Sequence, residues 1–330
     1  MLEREDYQRG QVEITCLVRG EDRASLIREL GVKVVVADLA DVHIVEAAAA
    51  QADIVIDTAN ADFPRGCTAV LAGLKARHAQ TGITSVFIHS SGTGALTDNA
   101  QGKFASEKIY EDLDCADIRA IPKTYVHRES DSMISEASVE GCVRGYVVMP
   151  PLICESYRTS VQIPALIRAA LKLGQAVHVG PGLPLWNGVH VQDLVDLYLV
   201  LADDALSGKP KASTGLECFY LCATDTYSWK QLANEIGRRL YAKGVIATAE
   251  ARALLPSEEE EVLGTWSGFA YGSNSRSKTG KAYALGWKPK HHTTGLFDSI
   301  DEEYAAVLEE GEDEAPKVHI DEMNNALAAV

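Results

Sequence analysis

The first 150 residues alternate short apolar runs with amphipathic segments, and this alternation is what most constrains the fold. Runs such as 32–37 and 53–57 are almost continuously apolar, which is typical of parallel strands that are buried on both faces. Segments with helical periodicity separate these runs, and such an order predicts βαβ units. We therefore expect an α/β protein built on a doubly wound parallel sheet.

Individual elements follow from the same pattern. Strands are predicted at Val12–Val18, Val32–Ala37, Asp53–Asp57, Ser85–His89, Gly145–Met149 and Glu217–Cys222. Helices are predicted at Arg23–Leu30, Val42–Ala50, Thr68–Ala79, Ala105–Leu113, Ile163–Leu173, from His190 onward, from an N-cap at Ser228, and near Thr294–Glu310.

The pattern loosens after residue 150, which suggests two parts. We predict a nucleotide-binding domain at 1–150 and a smaller substrate-binding region at 151–330, of which about 188–222 packs back on the first part. Ten acidic residues and one lysine lie between Asp301 and Glu322, and they predict a helix that leads into a solvated acidic tail.

Composition excludes several classes of partner. The net charge of −16 argues against nucleic acid, because phosphates would be repelled. No apolar stretch approaches 18 residues, so we expect no membrane partner, and the N-terminal residues do not resemble a secretory signal. Seven cysteines without a C-x-x-C pair fit a reducing compartment, so we expect a cytoplasmic protein. Cysteines and histidines lack the spacing of metal ligands, and no metal is expected.

The segment Ser85–Lys108 carries the strongest chemical signal. An apolar run ends in the sequence HSSGTG, which includes Ser91. Thirteen positions beyond Ser91 stands Phe104, and Lys108 follows it four residues later. A strand that ends in serine, followed by Y-x-x-x-K at the start of a helix, would be a catalytic arrangement, but here phenylalanine occupies the tyrosine position.

With these residues in place, the chain resembles the extended short-chain dehydrogenases/reductases, the NAD-dependent epimerase/dehydratase group, and especially its atypical fungal and NmrA-like members. The resemblance extends over nearly the whole length. It also rests on the strand ends at Arg19, Asp38-Leu39, Asp57-Thr58-Ala59-Asn60 and Met149-Pro150-Pro151, on the segment Asn187–Leu194, and on Leu285-Gly286-Trp287-Lys288-Pro289.

The resemblance implies a Rossmann-like domain that binds NAD or NADP at the carboxyl edge of its sheet. Ser91 would orient the substrate, Lys108 would hold the nicotinamide ribose, and the usual proton-transferring tyrosine is replaced by Phe104. The resemblance places the cofactor against Arg19, Asp38, Leu39, Ala59, Asn60, Lys108, Pro150 and Pro151. It places the substrate against Ser90, Thr93, Asn187 and Arg276. Arg19 favours NADP, because NAD-specific proteins carry an acid at that position.

Phe104 disables or reroutes the usual chemistry, because a phenyl ring has no exchangeable proton. Tyr110 is not a simple substitute, since six residues along a helix rotate the side chain by about 600°. Ser90, Ser91, Thr93 and His89 remain as proton donors or relays. Each signal also has an ordinary structural explanation: a serine can cap a turn, and a lysine can be a solvated helical residue.

The start of the sequence departs from the resemblance. Such folds open with a strand and a G-x-x-G-x-x-G turn that holds the pyrophosphate, whereas Gly10 leads directly into the predicted second strand. In a 3-2-1-4-5-6 sheet the absent strand is central, and each backbone group left unsatisfied in the interior costs about 1–3 kcal/mol. A shortened gene model or splice form and a genuinely cofactor-free protein both stay open.

Three functions are therefore weighed. The first is an NAD(P)-dependent oxidoreductase or epimerase/dehydratase that acts on a small carbonyl- or hydroxyl-bearing metabolite. The second is a non-catalytic NAD(P)-sensing regulator, as NmrA-like proteins are. The third is an enzyme that reuses the cleft without a cofactor. The family habit of pairing two helices per subunit implies a homodimer.

Overall fold

The computed structural model describes residues 5–154, 161–291 and 294–310. The predicted acidic tail beyond residue 310 lies outside this part. The strands are β1 Thr15–Val18, β2 Lys33–Val36, β3 Ile54–Asp57, β4 Ser85–Ser90, β5 Tyr110–Glu111, β6 Val143–Met149, β7 Leu152–Cys154, β8 Val177–His178, β9 Leu185–His190, β10 Phe219–Leu221, β11 Asp225–Ser228, β12 Arg252–Ala253 and β13 Ser277–Lys278.

The helices alternate with these strands through the first half and dominate the second. They are α1 Glu5–Gln8, α2 Glu21–Glu29, α3 Val42–Ala49, α4 Pro64–Thr81, α5 Ala116–Arg119, α6 Arg128–Val139, α7 Gln162–Leu173, α8 Val191–Leu206, α9 Trp229–Ala242, α10 Pro256–Leu263, α11 Ser267–Ala270, α12 Lys281–Ala284, α13 Thr294–Asp298 and α14 Ile300–Glu310. Across the described residues, none of these helices has the length and apolar character needed to cross a membrane.

The parallel sheet consists of two separate parts. Four parallel strands run in the order β10-β6-β4-β3, and β1 and β2 form a parallel pair of their own. Among the described residues, no strand lies between β1 and β3 to pair with both. The α/β class and the parallel sheet are confirmed, and the break falls where the first strand of such a sheet would pair.

Burial reflects this break. Nearly all residues of β4 and β6 are buried, as expected of central strands, whereas β3 is half-buried throughout and β1 is exposed or half-buried. Strands inside a doubly wound sheet are normally covered on both faces and paired on both edges. The apolar residues of β1 and β3 are therefore less protected than their sequences suggest.

Helices cover both faces of the four-stranded part. On one face α3, α4 and α6 pack around Phe87 and Val147, and on the other face α8 packs around Ile88 and Tyr146. Helices α3 and α4 approach closely at Gly73, where an added Cβ would lie 2.3 Å from the carbonyl oxygen of Glu46. This arrangement is the doubly wound layering predicted from the sequence.

The C-terminal region has its own apolar core. Helices α7, α9 and α14 surround Trp186 and Trp229, whose rings lie 5.4 Å apart. The segment from α8 to β10 instead returns to the large sheet, where β10 pairs with β6. Ser228 caps α9 through a reciprocal capping box with Gln231, so the helix start predicted there is confirmed.

The helix predicted at Ala105–Leu113 is wrong. Residues 104–109 are irregular and lead into β5, because the chain is held by tertiary hydrogen bonds to the segment before β13. The side-chain amide of Asn274 accepts from the Ser106 N–H and donates to the Phe104 carbonyl. The helix that precedes β6 is instead α6, which the sequence analysis missed.

Candidate functional site

The carboxyl ends of the parallel strands define the candidate site. In open α/β sheets, ligands bind in the crevice outside these ends. Arg19 and Asp38 follow β1 and β2, Ala59 and Asn60 follow β3, and Ser91 follows β4. Because β3, β4 and β6 are parallel, the residues that follow them lie along one edge of the four-stranded sheet, together with Pro150, whereas Arg19 and Asp38 follow the strands of the separate β1–β2 pair.

Arg19 and Asp38 contact each other where β1 and β2 end. The Arg19 Nη1 atom lies 3.4 Å from Oδ2 of Asp38, and both side chains are exposed. The second oxygen of Asp38 accepts the N–H of Ala40. Leu39 packs against the apolar core beside α4 and contributes no polar group to the edge. The guanidinium is exposed to solvent beside the carboxylate with which it pairs.

Asp57 and His89 form a buried pair where β3 and β4 end. Their register places them opposite each other, and His89 Nδ1 lies 3.0 Å from Asp57 Oδ2. Burial tends to raise the pKa of Asp57, but the hydrogen bond from His89 and its charge lower the pKa overall. Asp57 also accepts the N–H of Ala59 and so shapes the loop that follows β3.

Three buried polar atoms at the end of β4 have no hydrogen-bond partner among the described residues. They are His89 Nε2, Ser91 Oγ and Thr93 Oγ1, and their side chains are at least nine-tenths buried. An unsatisfied buried polar group costs about 1–3 kcal/mol, so several within five residues point to a ligand that satisfies them. Ser91 and Thr93 are fixed by backbone hydrogen bonds from their N–H groups to Val148 and Pro150.

His127 and Asp62 form a second acid–imidazole pair that the sequence analysis missed. Nδ1 of His127 lies 2.9 Å from Oδ2 of Asp62, and Oδ1 of Asp62 accepts the backbone N–H of His127 at 2.7 Å. His127 precedes α6, so the error that missed this helix also hid the histidine. The acidic first turn of α6, with Glu129 and Asp131, was the signal that could have revealed both.

Phe104 and Lys108 do not share a helical face. Phe104 is half exposed, and the Lys108 ammonium is paired with Asp117 and lies 5.1 Å from the centre of the Tyr110 ring. Lys108 and Tyr110 line a shallow cavity of about 400 Å³ together with Thr97 and Tyr125. The roles predicted for Phe104 and Lys108 stay predictions, and the helical argument against Tyr110 no longer applies.

The predicted substrate residues are placed unequally. Ser90 hydrogen-bonds the Tyr198 hydroxyl of α8, on the opposite face of β4 from His89. Asn187 donates to Asp225 and accepts from Ser277, so its buried amide joins β9, β11 and β13 rather than facing the cleft.

Arg276 likewise serves the structure, because its guanidinium donates to the Ser106 carbonyl. The Thr93 N–H donates to the carbonyl of Pro150, which is buried and follows β6, and the buried Pro151 comes next in the chain. Of the predicted substrate residues, Thr93 is therefore the one whose side chain carries one of the three unpartnered atoms at the end of β4.

One group of side chains in the described part could hold a metal ion: His190, Asp193 and His291. The rings of His190 and His291 stack at 3.7 Å, and His190 Nδ1 accepts the N–H of Gln192 as the cap of α8. The carboxylate of Asp193 accepts the N–H groups of Lys290 and His291. Through these hydrogen bonds the three side chains stabilise the start of α8 and join it to residues 290–291.

Two known proteins resemble the chain in sequence over most of its length. No family model matches the sequence. Over 305 residues, 84% of this chain and 86% of the relative, the sequence is 28% identical to the oxidase ucsJ of an Acremonium species. It is 24% identical to an uncharacterised protein of Schizosaccharomyces pombe over 286 residues, covering 85% and 88% of the two chains.

Solved structures share the fold at low identity. The PbgP3 protein of Burkholderia pseudomallei superposes with a TM-score of 0.61 at 14% identity, covering 90% of each chain. The dTDP-glucose 4,6-dehydratase of Bacillus anthracis, in complex with NAD, gives 0.58 at 11% identity and covers 91% and 90%. A nucleoside-diphosphate-sugar epimerase of Pseudomonas aeruginosa gives 0.58 at 15% identity and covers 92% of both. The chain therefore has the fold of the NAD-dependent epimerase/dehydratase type of short-chain dehydrogenase/reductase that its motifs indicated.

Proposed function

We propose that this protein is an NAD(P)-dependent oxidoreductase or epimerase/dehydratase-like enzyme that acts on a small metabolite with a carbonyl or hydroxyl group. The proposal rests on the fold, on the NAD complex of a structural neighbour, and on the oxidase relative. NADP is the favoured cofactor, because Arg19 offers an exposed guanidinium where a 2′-phosphate would lie.

The observation that carries the proposal is the row of unpartnered buried atoms at the end of β4. His89 Nε2, Ser91 Oγ and Thr93 Oγ1 lie at the carboxyl end of β4, and ligands of open α/β sheets bind outside such strand ends. A bound dinucleotide and substrate would supply the missing hydrogen bonds. Three unpartnered buried polar atoms within five residues of one strand end support a ligand at this place.

Different residues at the strand ends would bind different parts of the cofactor and of the substrate. Arg19 and Asp38 would hold the adenosine half, and Ala59 and Asn60 would lie against the central ribose and phosphates. Ser91 would donate a hydrogen bond to the substrate oxygen and so fix its orientation. The nicotinamide, when bound, supplies or accepts the hydride.

Titration of NADPH and NADH by calorimetry, followed by assay over a panel of aldehydes and ketones, tests this function. We expect saturable binding and oxidation of NADPH with at least one carbonyl compound. The Arg19→Glu variant should lose preference for NADPH, whereas Arg23→Glu, on the exposed surface of α2, should keep it. Absence of binding by both nucleotides, or equal losses in both variants, would contradict the proposal.

A regulatory role is the second candidate, and the residue at position 104 favours it. Phe104 cannot transfer a proton, and a protein that binds the dinucleotide without turning it over would need no such residue. The distinguishing result is tight NADPH binding with no oxidation across the carbonyl panel.

We also propose a cytosolic location and a homodimer. Cell fractionation would test the location, and light scattering would test the oligomeric state.

A further inference from the structure

The backbone of His127 adopts a strained conformation. Its φ of 66° is in the left-handed region, which only two non-glycine residues of the described chain occupy. Such a conformation costs a non-glycine residue about 1–3 kcal/mol, and it persists where surrounding contacts hold it in place. Asp62 provides these contacts, because its two oxygens meet the backbone N–H and the imidazole Nδ1 of His127.

The opposite edge of the imidazole contacts the loop that follows β4. Nε2 of His127 lies 3.0 Å from the point that a Cβ on Gly92 would occupy, and 3.1 Å from the corresponding point on Gly94. Both contacts are tight for a methyl group, so glycine at these positions leaves room for the ring. Nε2 is therefore directed at the backbone on either side of Thr93, one residue from Ser91.

We infer that His127, positioned by Asp62, is the group that exchanges a proton with the substrate oxygen in the reaction proposed above. The inference rests on that proposed function. It assigns to an imidazole the task for which the residue at position 104 is chemically unsuited. Asp62 is a positioning residue, since it contacts the histidine and not the substrate.

In the direction of carbonyl reduction, the hydride, the electron pair and the proton each have a source and a destination. The reduced nicotinamide dinucleotide, when bound, would supply the hydride for the new C–H bond, and the π electrons of the carbonyl would pass to oxygen. The proton on Nε2 of His127 moves to that oxygen, which gives the alcohol and a neutral imidazole. Solvent then returns a proton to the ring. Oxidation of an alcohol runs through the same steps in reverse.

The charges around His127 favour its protonated form. Burial alone would lower its pKa, but the hydrogen bond and charge of Asp62, with a further contribution from Asp131, raise it. Arg128 faces Asp131 in a buried ion pair at 3.1 Å, and His89 acts on Asp62 from the end of β4. A raised pKa extends to higher pH the range in which His127 keeps its proton.

Other groups near Ser91 are less suited to this task. The His89 side chain is 1% exposed and its Nδ1 atom is engaged by Asp57, so it exchanges protons with water less readily. The Ser90 hydroxyl is engaged by Tyr198. His127 has a side chain that is 20% exposed and so can exchange protons with water.

Titration of the histidine by NMR tests the pair without any cofactor. In protein labelled at the imidazole, the resonance of His127, assigned by its loss in His127→Asn, should titrate above the ordinary histidine value of about 6.5. Asp62→Asn should move this titration downward, whereas His43→Gln, on the exposed surface of α3, should leave it unchanged. Unperturbed titration in the wild-type protein would overturn the assignment. Asparagine is suitable at position 127 because it tolerates the left-handed conformation.

Steady-state kinetics distinguish the role inferred for His127 from the function proposed for the whole protein. With a carbonyl substrate found in the panel, His127→Asn should lower kcat by about 100-fold to 10,000-fold and leave NADPH affinity unchanged. Asp62→Asn should shift the pH profile of kcat to lower pH. Full activity of His127→Asn would overturn the inference and leave the proposed function intact. A wild-type protein that binds no dinucleotide would instead reject the proposed function, with the NMR result unaffected.

Discussion

At the residue scale, the proton of the proposed reaction has to come from a side chain with an exchangeable hydrogen near Ser91. The position of Phe104 in the sequence suggested a single replaced catalytic residue. In the structure its ring is half exposed, on a chain segment held by Asn274 rather than on a helix. A spacing of four residues has this meaning only when the residues share a helix face.

Replacing Phe104 by tyrosine tests whether this position is a dormant catalytic site. We expect activity with the carbonyl panel to remain far below the gain of about 100-fold that a restored general acid would supply. The physical reason is that the new hydroxyl would lie on an irregular, half-exposed segment. Steady-state assays of Phe104→Tyr beside Phe104→Leu are the measurement. A large gain that is confined to the tyrosine variant would show that the family mechanism is intact.

At the element scale, elements with a clear apolar run or strong helical periodicity were predictable. The strands β1 to β4 and β6 follow from their apolar runs, and α7 and α8 follow from strong periodicity. The error at 105–113 arose because hydrogen bonds from residues about 170 positions away override local helix propensity. A single sequence does not reveal such long-range pairing, so the irregular course of residues 104–109 could not be predicted, whereas the acidic first turn of α6 was a local signal that the sequence analysis overlooked.

The close contact between α3 and α4 at Gly73 should make the protein sensitive to any side chain at that position. An alanine at Gly73 would place its Cβ 2.3 Å from the Glu46 carbonyl and 2.9 Å from the Cβ of Ala49, so the helices would have to separate. Because the closest obstacle is backbone, we expect Gly73→Ala to lower the free energy of unfolding by about 1–3 kcal/mol in urea titrations followed by circular dichroism.

Gly268→Ala is the matched control for this prediction. It also lies in a helix, but the nearest atom to its added Cβ is a flexible side-chain carbon of Gln101 at 3.8 Å. It should change stability by much less. Equal stability of the Gly73 and Gly268 variants would show that α3 and α4 can separate without cost, contrary to the packing described above.

At the scale of the whole molecule, the break in the sheet is the feature that organises the site. The sequence predicted it from the lack of a glycine-rich turn, and the structure places it between β1 and β3. Arg19 and Asp38 lie on one side of the break, and Asn60, Ser91 and the other strand ends lie on the opposite side. A dinucleotide that satisfies both sides would link the two parts of the sheet across their carboxyl edge.

Hydrogen–deuterium exchange with and without NADPH tests this central claim most directly. We predict that saturating NADPH slows exchange at the loops after β1 and β2, at residues 57–62 and at residues 89–94, while the core around Trp229 is unchanged. NADP+ and NADH should slow exchange at the same segments. No protection by any nicotinamide dinucleotide, or protection confined to the C-terminal region, would contradict the proposed cofactor site.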